Sequence, residues 1–157
     1  MAKISYGVCK PEDVAEMSGR EMLEAMLAGR LPAPPIGKTL GFRLVEIDEG
    51  VAIFEADPGP HLLNPLGSVH GGWAMTLIDS ATGCALHTLL HAGVGYTTVE
   101  TKVNMTRPIR PTDGTVRCKG RVVTRGRQIA TAEAQLLSED GKVLAHGTST
   151  LMIRHPH

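Results

Sequence analysis

The sequence has no excess of either charge and very little cysteine, and each shortage argues against a class of protein. Lysine plus arginine and aspartate plus glutamate number 16 each in 157 residues, which argues against a general binder of nucleic acid or membrane surfaces. The three cysteines, Cys9, Cys84 and Cys118, lie far apart without a C-x-x-C pair. This usage predicts reduced thiols, a cytoplasmic location and no zinc site, with Cys84 as a small core residue.

Long apolar runs are also missing. The longest one is interrupted by Thr76, Asp79, Ser80 and Thr82, so we expect no transmembrane helix. The amino-terminal stretch MAKISYGVCKPEDVAE has no apolar core of the kind that a secretory signal needs. With 42% hydrophobic and 20% charged residues, the chain is predicted to be globular, with a sizeable hydrophobic core.

Several catalytic signatures are absent from the sequence. It contains no G-x-S-x-G motif of serine hydrolases and no glycine-rich phosphate loop ending in G-K-[ST]. His87 and His91 are four residues apart but lack an evident third ligand, and a helix end that favours cations explains them more simply. We therefore predict no bound metal.

Residues 1–34 are predicted to form a helical extension. Apolar side chains recur at roughly helical spacing from Pro11 to Gly29, and several prolines follow. Gly29 is expected to end the helix, and the prolines to form a rigid connector. We interpret residues 1–34 as a packing element and residues 35–157 as the main domain.

From Phe42 onwards the apolar residues recur with a period of two, which is typical of strands. Turn sequences at 48–50 and 139–141 divide two of these regions into hairpins. One face of each strand is apolar and the other polar, the pattern of an antiparallel sheet. After the central segment, we expect Val99, Val103 and Met105 on one face. The predicted strands lie in FRLVEIDEGVAIFEA, TTVETKVNMTRP, VRCKGRVV and IATAEAQLLSEDGKVLAHGTSTLMIR.

One long helix, predicted from about His70 to Leu90, lies between the second and third strands. It is apolar on nearly every side, so other elements must surround it. A curled antiparallel sheet wrapped around one central helix satisfies both patterns and gives an α+β fold.

A lone carboxylate, Asp79, interrupts this helix, and burying an isolated acid is costly. Gly71 and Gly72 open the helix, where unpaired backbone N–H groups can hold an oxyanion; a tight turn that needs glycine is the alternative. Asp79 lies about 10–12 Å further along nearly the same stripe. That separation is too long for both groups to act on one carbonyl. A second, antiparallel copy of the helix across a two-fold axis would bring them together.

The motif N-x-x-G-x-x-H-G-G beginning at Asn64, with Asp79 seven residues after it, resembles that of the hotdog-fold acyl-CoA thioesterases. Within that family, the motif resembles the phenylacetate-degradation (PaaI-type) enzymes, relatives of 4-hydroxybenzoyl-CoA thioesterase. The resemblance covers about residues 35–153 and includes LGFRLVE, VNMTRP and VVTRGRQIATAEAQL. It implies a hotdog fold, hydrolysis of an acyl- or aryl-CoA thioester without a separate cofactor, and a homodimer that assembles into a homotetramer.

The resemblance also implies roles for five residues. Asp79 is the catalytic carboxylate, as nucleophile or as general base on water, and the Gly71 N–H of the other subunit polarises the thioester carbonyl. Asn64 orients the carbonyl or the attacking water. Thr98 holds water at a position where serine is expected. The role of His70 stays open between shaping the turn and contacting the substrate. The alternative for Asp79 is a structural role within the dimer.

Coenzyme A carries phosphates, so cationic side chains are expected to line a path to the site. The candidates lie near strand ends and are Arg107, Arg110, Arg125 and Arg127. For the acyl group, the candidates either line a pocket or pack the core: Phe42, Phe54, Trp73 and Tyr96.

Two other functions are considered: a non-catalytic acyl-CoA-binding or sensor module, and an enoyl-CoA hydratase of the same fold. The intact set of Asn64, Gly71 and Asp79 argues against the sensor, because a pure binder has no need of a buried acid. The hydratase group uses a different motif around the central helix, which the sequence does not contain.

Overall fold

Six antiparallel strands form one sheet with a single long helix against it. The computed structural model describes residues 4–156. The helices are α1 (Pro11–Val14), α2 (Gly19–Leu27), α3 (Pro35–Leu40) and α4 (Gly71–His87), with a short 3-10 helix at Pro60–Leu62. The strands are β1 (Phe42–Asp48), β2 (Val51–Ala56), β3 (Gly95–Met105), β4 (Val116–Arg125), β5 (Ile129–Leu137) and β6 (Val143–Arg154), in the spatial order β1-β2-β4-β5-β6-β3.

The sheet curls around α4 along the length of the helix. All six strands have contacts with α4, and its side chains Leu77, Ile78, Ala81, Ala85 and Leu86 are fully buried. This burial explains why the helix is apolar on nearly every side. The predicted α+β architecture, a curled antiparallel sheet around one central helix, is confirmed.

The helix and sheet approach each other most closely at β4. A side chain at Gly120 would collide with the backbone of Ala81, so glycine permits contact between the two backbones there. The turns predicted at 48–50 and 139–141 do separate β1 from β2 and β5 from β6. The central helix ends at His87, with Thr88 as its C-cap, three residues before the predicted end.

In the amino-terminal extension, the sequence predicts one helix from Pro11 to Gly29, whereas the structure has two helices, α1 and α2. Ser18 interrupts the predicted helix and starts α2 with a capping box: the Glu21 N–H donates to Ser18 Oγ at 3.3 Å, and the Ser18 N–H donates to Glu21 Oε2 at 2.7 Å. Such a reciprocal cap stabilises a new helix start. The helix α2 packs on β1 and α4.

The edge strand β3 contains a bulge that the alternation pattern did not predict. Its register to β6 shifts between Thr98 and Glu100, and the extra residue, Val99, is 60% exposed. The prediction that Val99 faces the same side as Val103 is therefore wrong. Because a bulge adds one residue, Thr98 and Thr101 both turn towards α4, although residues three apart normally point to opposite faces.

β3 is an edge strand of the sheet. One of its sides pairs with β6, and the other side has no strand partner within residues 4–156. Unpaired edges of this kind are ready to pair with another chain. No helix of the described region is both long and apolar enough to span a membrane.

Candidate active site

The loop before α4 is organised by Asn64. Its Oδ1 accepts from the Leu66 N–H at 2.9 Å and the Ser68 N–H at 3.3 Å, and its Nδ2 donates to Ser68 Oγ at 2.9 Å. The Gly67 N–H donates to the Asn64 carbonyl at 3.0 Å. Gly67 itself has φ +87°, a conformation that favours glycine. The spacing N-x-x-G in the motif is thus the spacing of a turn.

His70 caps the first turn of α4. The Gly72 N–H donates to His70 Nδ1 at 2.9 Å, which assigns the ring proton of a neutral imidazole to Nε2. Gly71 is the first residue of the helix, so its N–H has no intrahelical acceptor. His70 therefore shapes the turn by accepting from the Gly72 amide, while Gly71 borders a cleft.

The expectation that Asp79 is a buried acid is wrong for the single chain: Asp79 lies exposed on α4, beside two hydroxyl groups of β3. Thr98 Oγ1 donates to Asp79 Oδ1 at 2.9 Å, and Thr101 Oγ1 approaches the same oxygen at 3.4 Å. Both hydroxyls reach the carboxylate because of the bulge at Val99. Every side-chain hydrogen bond of this carboxylate within residues 4–156 goes to Oδ1, which leaves Oδ2 for a substrate or a water.

Asp79 and Gly71 border separate clefts in one chain. The cleft at the helix start has a volume of about 330 Å³ and the cleft at Asp79 about 310 Å³. The first is lined by Asn64, Ser68, Val69, Gly71, Met105, Thr106, Arg107, Pro108 and Ile109. The second is lined by Met75, Thr76, Asp79, Thr98, Val99, Glu100 and Thr101. No residue is common to the two clefts, so one chain does not bring the acid and the amide to one point.

An apolar cavity of about 280 Å³ lies below the amino-terminal extension. Tyr96, two residues before Thr98, forms part of its wall, and its hydroxyl lies against Gly83 of α4. Burial raises the pKa of Tyr96 and, with the nearby charge of Asp79, raises the pKa of Cys84 to about 12. The other lining residues are Ile4, Met22, Leu23, Met26, Leu27, Ala33, Pro34, Gly37, Phe42, Arg43, Leu44, Phe54, Cys84 and His87.

His87 is the polar side chain of α4 that borders this cavity. Its Nδ1 is buried and has no hydrogen-bond partner within residues 4–156. Burial lowers the pKa of His87, so the imidazole stays neutral inside the protein. Among the aromatic candidates for the acyl pocket, Phe42, Phe54 and Tyr96 border the cavity, whereas Trp73 packs in the core and donates to the Leu40 carbonyl at 2.8 Å.

The four candidate arginines form two groups. Arg107 and Arg110 border a common cleft of about 610 Å³, and Arg107 also borders the cleft at Gly71. Arg125 and Arg127 lie exposed at the turn between β4 and β5, at the opposite end of the sheet. The common cleft also contains three acids and a lysine, namely Asp113, Glu139, Asp140 and Lys142. One chain therefore brings only the first pair close to the helix start.

Sequence reasoning missed two hydroxyls near Asp79, those of Thr101 and Ser149. Thr101 contacts the carboxylate, and Ser149 on β6 contacts Thr101 at 2.9 Å. No sequence signal marks them, because both lie in alternating strand segments. Thr101 depends on the bulge for its direction, and the pairing of β3 with β6 brings Ser149 to Thr101.

A family model for the thioesterase superfamily matches residues 66–145. The chain belongs to this superfamily. Among solved structures, the thioesterase resembles a phenylacetic acid degradation-related protein from Ralstonia eutropha JMP134, which is described as a candidate thioesterase. The two are 30% identical over 83% of this chain and 98% of that one, with a TM-score of 0.75. It also resembles a thioesterase family protein from Silicibacter pomeroyi, at 28% identity over 88% and 99% of the two chains and a TM-score of 0.75.

A protein of Saccharolobus solfataricus described as a candidate esterase is 28% identical over 111 residues, which cover 71% of this chain and 77% of the relative. The E. coli PaaI protein, at 21% identity, 88% and 94% coverage and a TM-score of 0.73, shares the fold. The protein is thus a hotdog-fold hydrolase of thioesters, related to PaaI-type thioesterases, as its motif implied.

Proposed function

We propose that this thioesterase hydrolyses acyl-CoA thioesters at sites that two copies of the chain build together. One observation carries the proposal: Asp79, held by hydroxyls, and Gly71, with its helix-start amide, border separate clefts on one helix. Eight residues of helix separate them by about 12 Å. Each chain therefore supplies two halves of a site, and two chains related by a two-fold axis would complete two equal sites.

The free edge of β3 provides a route to such a dimer. Thr98 near one end of β3 contacts Asp79, and a Cβ placed on Gly71 would lie 3.1 Å from Met105 Cε at the other end. Their partners on β6, Leu151 and Ala145, are six residues apart, so the two positions are about 20 Å apart along the strand. Antiparallel pairing of two β3 edges about their midpoint would set the Thr98 end of one chain beside the Met105 end of the other. The acid would then face the partner's amide.

In the completed site, the Gly71 N–H of the partner subunit binds the thioester oxygen. The partner's Asn64, which borders the same cleft as Gly71, helps to orient the carbonyl or the water. Asp79 acts on the carbonyl carbon as nucleophile or through a water that it deprotonates. The negative charge that develops on the oxygen is stabilised by the amide at the positive end of a helix. The carbon–sulfur bond then breaks, and coenzyme A leaves as its thiol. This chemistry requires no metal, so activity is expected to survive treatment with a chelator.

The acyl group is proposed to enter the cavity behind Tyr96. Tyr96 and Thr98 are consecutive inward-facing residues of β3, and Cys84 follows Asp79 by five residues on α4, so the cavity begins one to two helical turns from the carboxylate. An apolar cavity of roughly 150 Å³ holds benzene. The 280 Å³ here is therefore large enough for an acyl group of that size or larger.

The phosphates of coenzyme A are proposed to contact Arg107 and Arg110, which are close to the helix start, with Arg125 and Arg127 as the second pair. Exposed contacts between arginine and phosphate weaken as salt screens the charges. The KM for acyl-CoA is therefore expected to rise with ionic strength, while kcat changes less.

A thiol-release assay with a panel of acyl-CoA and aryl-CoA esters tests the function. Hydrolysis supports it. Tight binding without turnover would indicate a sensor module, and water addition to an enoyl-CoA would indicate a hydratase. Binding without turnover and water addition to an enoyl-CoA both contradict the proposal.

Mixing two variants of strongly reduced activity tests the shared site. Asp79→Asn removes the acid, and Gly71→Pro removes the amide hydrogen. Proline is accepted at the first helical position, and His70 before it has φ −61° and ψ 134°, which suits a residue preceding proline. When the two variants exchange subunits, a mixed dimer contains one site with both groups intact, so activity should reappear. If acid and amide acted within one chain, mixing would restore nothing.

A further inference from the structure

A chain of three hydroxyl groups connects the side chain of Asp79 to its own backbone. Thr101 Oγ1 lies 3.4 Å from Asp79 Oδ1 and 2.9 Å from Ser149 Oγ, which lies 2.8 Å from Thr82 Oγ1. Thr82 Oγ1 in turn lies 2.9 Å from the Ile78 carbonyl and 3.0 Å from the Asp79 carbonyl. Thr82 and Ser149 are fully buried, so the contact between these two hydroxyls forms without competition from solvent, whereas the Thr101 end of the chain lies at the surface beside Asp79.

The chain has more links than protons. Both of its ends, the carboxylate and the helix carbonyls, can only accept hydrogen bonds when Asp79 is ionised. Three hydroxyl protons must serve four links: carboxylate to Thr101, Thr101 to Ser149, Ser149 to Thr82, and Thr82 to the carbonyls. One link is therefore always without a proton. Two arrangements keep a proton in both links between hydroxyls: all three O–H groups point towards Asp79, or all three point away from it.

We propose that Thr101, Ser149 and Thr82 are positioning residues that hold Asp79 Oδ1 and turn their hydroxyl protons with its charge. This inference rests on the proposed function of Asp79 and commits to its role as general base. A hydrogen bond to a charged oxygen is roughly twice as strong as a neutral one. While Asp79 is ionised, Thr82 donates to Ser149, Ser149 to Thr101, and Thr101 to Oδ1.

The order reverses when Asp79 takes a proton from the attacking water. Oδ1 is then a weaker acceptor, so Thr101 turns to Ser149, Ser149 to Thr82, and Thr82 to the carbonyls of α4. No O–H bond of the chain breaks, because each hydroxyl only rotates. The proton on Asp79 subsequently passes to the departing thiolate of coenzyme A, and the first order returns. Throughout the cycle Thr98 holds Oδ1 at 2.9 Å, and Oδ2 stays available to the water.

The first test removes the hydroxyl that touches the acid. Thr101→Val keeps the shape of the side chain and is expected to lower kcat about 10-fold, with KM nearly unchanged, since a hydrogen bond to a charged group is lost. Thr101→Ser retains the hydroxyl and should recover most of kcat. Equal kcat in Thr101→Val and wild type would overturn the proposal.

The second test removes a hydroxyl that does not touch Asp79. Ser149→Ala breaks the middle of the chain and is expected to lower kcat several-fold. In the Thr101→Val background the same change should have no further effect on kcat, because the chain is already disconnected. If the two effects on kcat multiply, or if Ser149→Ala leaves kcat unchanged, the two hydroxyls do not act as one chain.

Thr88→Val serves as the matched control. Thr88 is also a buried threonine at α4 whose Oγ1 donates to a helix carbonyl, that of Ala85 at 2.7 Å, but it belongs to no link with Asp79. This variant should lose stability, as measured by thermal unfolding, and keep its kcat. Failure of the proposed function gives a different result, since wild-type protein would then hydrolyse none of the thioester panel.

Discussion

The start of α4 and the surroundings of Asp79 lie on one helix but are held in different ways. At the start, the side-chain hydrogen bonds span at most four residues, from Asn64 to Ser68 and from His70 to Gly72, and the Val69 N–H donates to the more distant Ile109 carbonyl at 2.9 Å. Around Asp79, the side-chain hydrogen bonds join α4 to β3 and β6 across 19 to 67 positions of the chain. The helix start is held mainly by backbone N–H groups and neighbouring side chains, whereas the acid is held by hydroxyls from distant strands. Changes at the two places should therefore affect different properties.

Replacement of the acid should have the largest effect. Asp79→Asn is expected to reduce kcat about 10³-fold or more, because an amide is neither a base nor an effective nucleophile. Asp79 is exposed and the amide oxygen can still accept from Thr98, so the free energy of unfolding should change by less than about 0.5 kcal/mol. Kinetics and thermal unfolding together check this. Full activity in the variant would remove Asp79 from the mechanism.

Removal of the amide hydrogen should have the next largest effect. Gly71→Pro is expected to lower kcat about 10²-fold, the usual cost of losing one oxyanion donor. Gly71→Ala is the control, because it keeps the N–H and adds a methyl group that meets only the flexible end of Met105, 3.1 Å away.

The kcat values of Gly71→Ala and Gly71→Pro separate crowding from loss of the amide hydrogen. If alanine and proline reduce kcat equally, then crowding by the added carbon is responsible and not the loss of the donor. A proline variant with normal kcat would show that another group holds the oxygen.

The difference between the two places also explains what the sequence could predict. The motif from Asn64 to Gly72 contains much of its own geometry, since Asn64 bonds to Leu66 and Ser68 and His70 bonds to Gly72, and the positions of the turn and the helix start followed from it. The central helix, the hairpins and the antiparallel sheet followed from periodicity. Thr101 and Ser149 could not be predicted as neighbours of Asp79, because the direction of Thr101 depends on the bulge at Val99 and its contact with Ser149 depends on the pairing of β3 with β6.

A smaller effect is expected from removing the helix cap. His70→Ala loses the acceptor for the Gly72 N–H and should reduce the free energy of unfolding by about 1 kcal/mol, a fall in Tm of about 2–4 °C for a chain of this size. His70→Asn, with a good capping side chain, should stay close to wild type. A loss of kcat in both variants at normal stability would show that His70 contacts the substrate and does more than shape the turn.

The smallest effect concerns the far end of α4, where the half-buried His87 lies next to the proposed acyl cavity. Its pKa is lowered by burial, so below the ordinary value of about 6.5 the unfolded chain binds a proton that the folded chain does not. The stability associated with a neutral His87 is therefore present above that pH and lost as pH falls through it. One such proton accounts for a slope of at most about 1.4 kcal/mol per pH unit.

His87→Phe keeps an aromatic ring against Tyr96 and cannot titrate. Between pH 7 and pH 5 its free energy of unfolding, from denaturant titrations, should fall less steeply than that of wild type. His91→Phe is the control, because His91 is exposed and its replacement should leave the slope unchanged. Identical slopes in wild type and His87→Phe would mean that the cavity admits enough water to hydrate the imidazolium, and the pocket would then be less apolar than its lining suggests.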